Sequence, residues 1–242
     1  FIADSVLDPI NYGFMESLYR YRMLRKKYPD IEILMGTGNV TELTDADTSG
    51  MNALLLGIAS ELNIKNVLVV QVSGHTKQVI QETDIARKIM YASKKDNSLP
   101  VGYDDSLISV HEKKPFTPLQ EINETAKLIK DPNFRIQVSE QGVHVYNRDG
   151  HFVEKDPFSF FPKIKLEEDG GHAFYIGVET ARAHIAWELG KTYVQDEELK
   201  WGCASNIKSF LDLTKFKKPG TTMDARQKMK HDLRKRKRKV NF

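Results

Sequence analysis

The sequence predicts an α/β protein in which parallel strands with crossover helices are followed by a small α+β domain. Residues 1–95 alternate short apolar strands with amphipathic helices, and the apolar run 67–70 suits a strand buried on both faces. Residues 132–215 instead show short strands separated by glycine-containing turns. The predicted boundaries are 1–115 for the first domain, 116–215 for the second and 216–242 for a basic arm.

The first domain is predicted to consist of three βα units. Strands and helices alternate in the order 1–4, 14–27, 31–35, 48–62, 65–72 and 78–92. The first helix has Phe14, Leu18, Tyr21 and Leu24 at helical spacing. Such units form either an open doubly wound sheet or a barrel, and three units cannot close a barrel. Because the chain also opens on Phe1 in an apolar strand, we expect a fragment whose upstream part is missing.

The second domain is predicted to contain five strands and one long helix. The strands are expected at 135–139, 143–147, 152–154, 164–167 and 173–177, and the helix at 179–189. Gly190 is expected to end this helix. Further helices are predicted near 119–130, before the strands, and near 206–213, after them.

Composition and charge exclude several classes of protein. The apolar content of 40% and charged content of 29% indicate a globular protein, and no apolar run reaches membrane-spanning length. The single cysteine, Cys203, excludes an internal disulfide, is expected to be a buried thiol, and fits a reducing cytoplasm.

The charge of the chain is distributed unevenly. The formal net charge is +3, but residues 224–242 contain nine Lys/Arg and two Asp, a net +7 that leaves −4 for the rest. Six consecutive basic residues run from Arg234 to Lys239. Such an arm binds RNA or another polyanion through phosphate contacts, or serves only as a solubilising tail.

Polar residues cluster where each predicted strand of the first domain ends. Asp4 and Asp8 follow the first strand, a glycine-rich turn containing Asn39 and Thr41 follows the second, and the segment from Gln71 to Lys77 follows the third. Parallel strands end at one edge of a sheet, where α/β proteins place their ligands. The sequence therefore predicts a binding site formed by these three segments.

Three segments resemble the later part of the pterin-binding barrel superfamily, and in particular the archaeal and methylotroph dihydropteroate synthase-related proteins. The segments are ADSVLDPINYGF (3–14), MGTGNVTELTD (35–45) and ETDIARK (82–88). Residues 134–203 look like that family's C-terminal module. The resemblance implies the C-terminal part of a TIM-type (β/α)8 pterin-binding barrel, followed by the small α+β domain.

The resemblance also implies roles for individual residues. Asp4 would accept hydrogen bonds from the amino-pyrimidine edge of a pterin, with Asp8 as the competing carboxylate, and Asn39 would contact the reactive pterin nitrogen. Thr41 and Gln71 are further candidates for substrate binding. The alternatives are turn or cap roles for the two aspartates and a left-handed turn at Asn39.

A catalytic role in holding a departing diphosphate is assigned to His75 and Lys77. A positive pair at the start of a helix favours anions, although an exposed basic loop is equally compatible with these residues. Three nearby carboxylates, Glu42, Asp45 and Asp47, would suit Mg²⁺ of a pyrophosphate substrate. The lysine and arginine that dihydropteroate synthases carry at the second and third strand ends are absent here.

Three functions follow as hypotheses. In the first, an enzyme condenses a hydroxymethyl-dihydropterin diphosphate with an arylamine in tetrahydromethanopterin-type cofactor biosynthesis. In the second, a methyltetrahydropterin donates its methyl group in a methyltransferase reaction. In the third, a non-catalytic scaffold binds nucleic acid through the basic arm. The resemblance also implies a homodimer, because the superfamily is often dimeric.

Overall fold

The computed structural model describes residues 1–205. They fall into two compact units: unit 1 contains Phe1–Ser109 and the described residues from Trp201 onward, and unit 2 contains Val110–Lys200. The helix predicted near 206–213 and the basic arm lie outside the described residues. No helix within residues 1–205 combines the length and apolarity needed to cross a membrane.

Unit 1 is built on a parallel sheet of three strands. Its elements, in order, are β1 (Ile2–Asp4), α1 (Phe14–Lys27), β2 (Glu32–Gly36), α2 (Gly38–Thr41), α3 (Thr48–Glu61), β3 (Asn66–Leu68) and α4 (Val79–Lys95). The strand β2 lies in the centre, with β1 and β3 as its parallel neighbours. In this register Asp4 is paired with Leu34, and Gly36 with Leu68.

The predicted TIM-type barrel is wrong. The strands of residues 1–205 form two separate three-stranded sheets, one parallel and one antiparallel, and neither closes on itself. The alternation of strands and helices correctly indicated parallel pairing. It does not distinguish an open sheet from a barrel, because both are built from the same right-handed βαβ unit.

The core of unit 1 lies on one face of this sheet. Ile33 and Met35 of β2 are fully buried, whereas Glu32, Leu34 and Gly36 on the opposite face are more accessible. Strand side chains alternate between faces, so the helices cover mainly the first set. Residues from the helices and loops complete this core, namely Leu7, Tyr21, Val40, Leu55, Leu56, Ala59, Ile64 and Ala86.

The third strand is shorter than predicted. It ends at Leu68 rather than at residue 72, and the Leu68 carbonyl oxygen accepts a hydrogen bond from the Thr37 amide at 2.9 Å. Beyond this point the chain leaves the sheet. The apolar residues Val70 and Val72 therefore become loop residues, and Val72 is 82% exposed.

A buried polar cluster joins α3 to α4. The Glu82 carboxylate accepts hydrogen bonds from the Thr48 hydroxyl at 2.6 Å and the Asn52 amide at 2.9 Å. Thr83 donates to the Asn52 side-chain oxygen at 3.3 Å. The segment 82–88, one of the three segments that carry the family resemblance, thus begins with residues that fix the packing of two helices.

Unit 2 packs helices against an antiparallel sheet. Its elements are α5 (Leu119–Leu128), β4 (Arg135–Ser139), β5 (Gly142–Asn147), β6 (Gly150–Glu154), α6 (Phe161–Ile164) and α7 (Gly170–Leu189), and the sheet order is β4-β5-β6. Its core contains Ile136, Val138, Val143, Val145, Phe160 and Ile176.

The strands predicted at 164–167 and 173–177 are wrong, because the second lies inside α7 and the first begins at the end of α6. Gly170, Gly171 and Gly177 lower the helix propensity of this segment, which made it resemble a strand. The Asp169 carboxylate caps α7 by accepting from the His172 amide at 3.2 Å. As predicted, α7 ends at Gly190, whose φ of 60° is left-handed.

Candidate functional site

The segments that follow the three parallel strands are tied together at the carboxyl edge of the unit 1 sheet. The Asn39 side-chain amide donates to the Leu7 carbonyl oxygen at 2.8 Å, and His75 Nε2 lies 3.0 Å from the Thr41 carbonyl oxygen. We call residues 4–13, 37–47 and 69–78 the strand-end site. It contains every residue proposed from sequence: Asp4, Asp8, Asn39, Thr41, Gln71, His75 and Lys77.

Glu42 braces the second and third segments. Its carboxylate accepts hydrogen bonds from the Val72 amide at 2.7 Å, the Ser73 amide at 2.9 Å and the Thr76 hydroxyl at 3.0 Å. A hydrogen bond from the Ser73 side chain is the largest cause that lowers the pKa of Glu42 to about 2, against an opposing effect of burial. Glu42 is therefore an ionised structural brace at neutral pH.

The brace also bears on the predicted magnesium ligands. Both oxygens of Glu42 already accept hydrogen bonds from residues 72–76, so this carboxylate is turned toward the third segment. Within residues 1–205 there is no group of three or more His, Cys, Asp or Glu side chains placed to hold a metal ion.

Asp4 ends β1 with one carboxylate oxygen occupied and the other open. Its Oδ1 accepts hydrogen bonds from the Val6 amide at 2.8 Å and the Tyr21 hydroxyl at 2.6 Å. A carboxylate oxygen has two lone pairs, so Oδ1 is filled. Asp4 is exposed, and no donor in residues 1–205 bonds to its Oδ2. Asp4 thus offers a ligand one open acceptor atom.

Asp8 is engaged by a cation. Its Oδ2 lies 2.7 Å from Arg20 Nη2, and Arg20 also donates to the carbonyl oxygens of Ser5 at 3.2 Å and Val6 at 2.9 Å. The arginine fastens the loop after β1 to helix α1. Of the two candidate carboxylates, Asp4 is therefore the one with an oxygen available to a ligand.

Asn39 and Thr41 have different environments in α2. Asn39 is exposed, and its Nδ2 must face the Leu7 carbonyl oxygen because only the amide nitrogen can donate. This orientation leaves the acceptor Oδ1 of Asn39 for a ligand. Thr41 is fully buried, and its hydroxyl donates to the Thr37 carbonyl oxygen at 3.3 Å. Thr41 therefore stabilises the turn and does not face a ligand.

The third segment places Gln71, His75 and Lys77 at the surface. Gln71 Nε2 donates to the Lys77 carbonyl oxygen at 3.0 Å and so closes the loop. The His75 ring donates through Nε2 to a carbonyl oxygen, so its Nδ1 donates to an anion only when the ring is charged. The Lys77 ammonium makes no hydrogen bond or ion pair within residues 1–205, which leaves it available to an anion.

Apolar side chains are exposed around these polar groups. Val6, Tyr12, Leu43 and Val72 are 52%, 83%, 66% and 82% exposed, and all belong to the strand-end site. Binding sites for organic ligands combine apolar contact surface with a few placed polar groups. The strand-end site therefore combines exposed apolar side chains with the polar groups described above.

Arg20 and the polar role of Tyr21 are not predicted by the sequence patterns. Helical spacing predicts Tyr21 only as part of the apolar face of the first helix, where the side chain is fully buried. Burial first, and then the hydrogen bond to Asp4, raise the pKa of the Tyr21 hydroxyl, which therefore remains a donor. A buried tyrosine hydroxyl needs a partner, so a tyrosine in the helix after a strand-end aspartate is the signal that would have found this pair.

Unit 2 contains a chain of polar side chains within its sheet. Ser139 Oγ lies 2.7 Å from His144 Nε2, and His144 Nδ1 lies 2.9 Å from His151 Nε2. Burial, followed by the charge of His151, lowers the pKa of His144 to about 4. Ser139 also accepts from the Gln141 amide at 3.0 Å. The chain satisfies buried polar atoms and keeps His144 neutral.

The lone cysteine is buried, as predicted. Cys203 belongs to unit 1, where its amide donates to the Ser106 carbonyl oxygen at 2.8 Å. Burial raises the pKa of its thiol to about 11. A protonated, enclosed thiol is unreactive, so Cys203 contributes packing rather than nucleophilic chemistry.

Comparison with known proteins finds a similar archaeal protein. The chain is 30% identical over 224 residues to an uncharacterized protein of Methanocaldococcus jannaschii, MJ0107, and the match covers 82% of this chain. It spans only 42% of that relative's length. No protein-family model matches the chain, and no solved structure matches it.

Proposed function

We propose that unit 1 binds a pterin at the strand-end site, as the substrate of a transferase resembling dihydropteroate synthase. The observation that carries this proposal is the open Oδ2 of Asp4, a fixed acceptor at the end of β1. The amino-pyrimidine edge of a pterin presents N–H donors, which need such an acceptor. The exposed apolar residues of the same segments suit the faces of the ring.

The proposed reaction joins a hydroxymethyl-dihydropterin diphosphate to an arylamine, as in tetrahydromethanopterin-type biosynthesis. The amine nitrogen attacks the methylene carbon, the carbon–oxygen bond breaks, and diphosphate leaves with the bonding electron pair while the amine loses a proton. The main electrostatic task is to stabilise the leaving group. The free ammonium of Lys77 supports this role, and His75 contributes when its ring is charged.

Calorimetric titration of the full chain with 7,8-dihydropterin tests the binding step. We expect Asp4→Ala to weaken binding about tenfold or more, because it removes a charged acceptor. The matched control is Asp149→Ala, which removes an exposed carboxylate of unit 2 and should leave the affinity unchanged. Absence of binding by the unaltered chain, or equal losses in the two variants, would contradict the proposal.

Product formation tests the chemistry separately from binding. The chain is incubated with the dihydropterin diphosphate and 4-aminobenzoate as a probe arylamine, and the coupled product is followed by mass spectrometry. Lys77→Gln should slow coupling while leaving dihydropterin binding intact, whereas Lys88→Gln, on the exposed face of α4, should change neither. Binding without any coupling would retain the pterin site and remove the synthase reaction.

Methyl transfer from a methyltetrahydropterin is a second candidate, and the orientation of Asn39 favours it. Because Nδ2 donates to Leu7, the side chain offers the acceptor Oδ1 to a ligand. The tetrahydropterin left after methyl transfer carries a hydrogen on N5 that can donate to this oxygen, whereas N5 of a 7,8-dihydropterin is an imine acceptor. An Asn39→Ala variant that loses affinity for tetrahydropterin but not for dihydropterin would support this second reaction, and equal affinities would remove its basis.

A further inference from the structure

Two donors converge on a single oxygen of Asp4. Tyr21 is fully buried on α1, yet its hydroxyl reaches Oδ1 of this exposed carboxylate at 2.6 Å. The second donor is the Val6 amide at 2.8 Å. Val6 has a φ of 59°, a left-handed conformation that is unfavourable for a β-branched residue. Such backbone strain persists where the surrounding structure enforces it, and it is frequent at ligand sites.

The consequence is a carboxylate that cannot rotate without losing a hydrogen bond. With both lone pairs of Oδ1 occupied, the remaining acceptor capacity of Asp4 is on Oδ2. We propose that Tyr21 is a positioning residue of the strand-end site, which holds Asp4 so that Oδ2 meets the 2-amino group of the pterin. This inference rests on the pterin site proposed above.

Helix α1 supplies the rigidity that positioning requires. Arg20, the residue before Tyr21, donates to the carbonyl oxygens of Ser5 and Val6 and pairs with Asp8. Adjacent residues of one helix thus fix both the backbone of the loop and the orientation of the Asp4 carboxylate. Supporting contacts of this kind keep a binding group in its productive orientation before the ligand arrives.

The inference predicts selectivity between two pteridines. Pterin carries an amino donor at position 2, whereas lumazine carries a carbonyl acceptor there, which would face the open oxygen of Asp4. A carboxylate held with Oδ2 outward should therefore prefer pterin. A carboxylate that rotates freely would discriminate less, because it would lose its rotational freedom on binding pterin, and this loss weakens the pterin complex.

Affinities of the full chain for pterin and lumazine test the role of Tyr21. Tyr21→Phe removes one oxygen and keeps the ring, and we expect it to lower the ratio of the two affinities about tenfold. Tyr193→Phe is the matched control, because it removes a tyrosine–carboxylate hydrogen bond in unit 2 and should leave the ratio unchanged. A merely structural role for Tyr21 would weaken both ligands equally.

Asp4→Asn gives a second, independent measurement. Val6 and Tyr21 both donate to position Oδ1, so the amide must place its oxygen there and its Nδ2 outward. The preference should then invert toward lumazine, and adding Tyr21→Phe, which leaves only the Val6 amide as a donor, should reduce that inversion. If wild type binds pterin but neither ratio changes, the positioning role is overturned and the pterin site stands. If wild type binds no pterin, both proposals fall.

Discussion

Each unit contains a tyrosine that donates to a carboxylate, but the two carboxylates differ in what remains open. Tyr21 donates to the exposed Asp4, whose second oxygen has no donor within residues 1–205. Tyr193 donates at 2.7 Å to Glu179, which is buried. Burial raises the pKa of both tyrosine hydroxyls, so both act as donors at neutral pH.

Glu179 is satisfied on both of its oxygens. Its Oε2 also accepts from the Asp196 amide at 3.1 Å, and its Oε1 accepts from Arg182 at 2.7 Å. A buried carboxylate with a full set of partners fixes α7 against the segment that follows it. A tyrosine–carboxylate hydrogen bond therefore has a different role in each unit. Where the carboxylate is buried and both its oxygens have donors, the bond stabilises the fold, whereas a carboxylate with one oxygen open at a strand end offers an acceptor to a ligand.

The largest expected contrast is in stability. Glu179→Ala leaves the Tyr193 hydroxyl, the Asp196 amide and the Arg182 side chain without their acceptor, and should destabilise unit 2 by about 3 kcal/mol. Asp4→Ala should cost unit 1 about 1 kcal/mol, because Asp4 is exposed and water can replace its carboxylate as the acceptor for the Tyr21 hydroxyl.

Urea unfolding measures this contrast in each unit separately. The chain has two tryptophans, Trp187 in unit 2 and Trp201 in unit 1. A Trp201→Phe background therefore reports unit 2 by fluorescence, and a Trp187→Phe background reports unit 1. The control Glu188→Ala, on the exposed face of α7, should change stability by less than about 0.5 kcal/mol. Equal losses for Glu179→Ala and Asp4→Ala would remove the distinction between the two carboxylates.

Local sequence patterns predicted the three parallel strands and the helices α1, α3 and α4 of unit 1, but not α2, the early end of β3 or the open form of the sheet. The predicted bounds of α1 are those observed, because its apolar residues follow helical spacing and Gly13, with a φ of 109°, precedes the first turn. Open sheet and barrel share that local pattern, so their distinction depends on pairing between distant strands. In unit 2 the hairpin turns were readable, whereas the glycines of α7 concealed a helix that tertiary packing enforces.

The candidate site shows the same limit. Because parallel strands end at the same edge of a sheet, the sequence alone predicted that Asp4 and Asn39 lie on adjoining segments. It did not show that Asp8 is neutralised by Arg20, twelve residues away, while Asp4 keeps an open oxygen. Side chains of the following helix decide which of the two carboxylates is free. In the sequence these partners look like an ordinary surface charge, Arg20, and an ordinary apolar position, Tyr21.

On acidification the stability of unit 2 should begin to decline at a higher pH than the stability of unit 1. Burial lowers the pKa of His144 to about 4 from 6.5, so the unfolded chain takes up the proton first as the pH falls. The contribution of neutral His144 to the stability of unit 2 is therefore present above pH 6.5 and is lost as the pH falls from 6.5 toward 4. From pH 7 to pH 5 we expect a loss of about 2 kcal/mol.

Unfolding of unit 2 at successive pH values, followed by Trp187 fluorescence, measures this decline. His144→Gln should flatten the dependence between pH 6.5 and 4, even though the variant is less stable at neutral pH. His111→Gln, which changes an exposed histidine of the same unit, serves as the control. An unchanged slope in His144→Gln would show that the buried histidine does not govern acid sensitivity.

The smallest expected effect is the acid response of unit 1. Hydrogen bonds, led by that from the Ser73 side chain, lower the pKa of Glu42 from 4.5 to about 2. A depressed carboxyl pKa stabilises the fold above the unfolded value, so this contribution is present above pH 4.5 and is lost as the pH falls toward 2. The effect is small because the carboxylate lies near the surface, where water screens it.

The test is the slope of unit 1 stability between pH 4.5 and 2, followed through Trp201. Glu42→Gln should reduce this slope, and Glu61→Gln, at the exposed end of α3, should leave it unchanged. If Glu42 braces the strand-end site, the variant should also bind dihydropterin more weakly at neutral pH, where titration plays no part. If the variant binds more weakly but its acid slope is unchanged, Glu42 orders the two loops that carry Asn39 and Lys77 without contributing to acid stability.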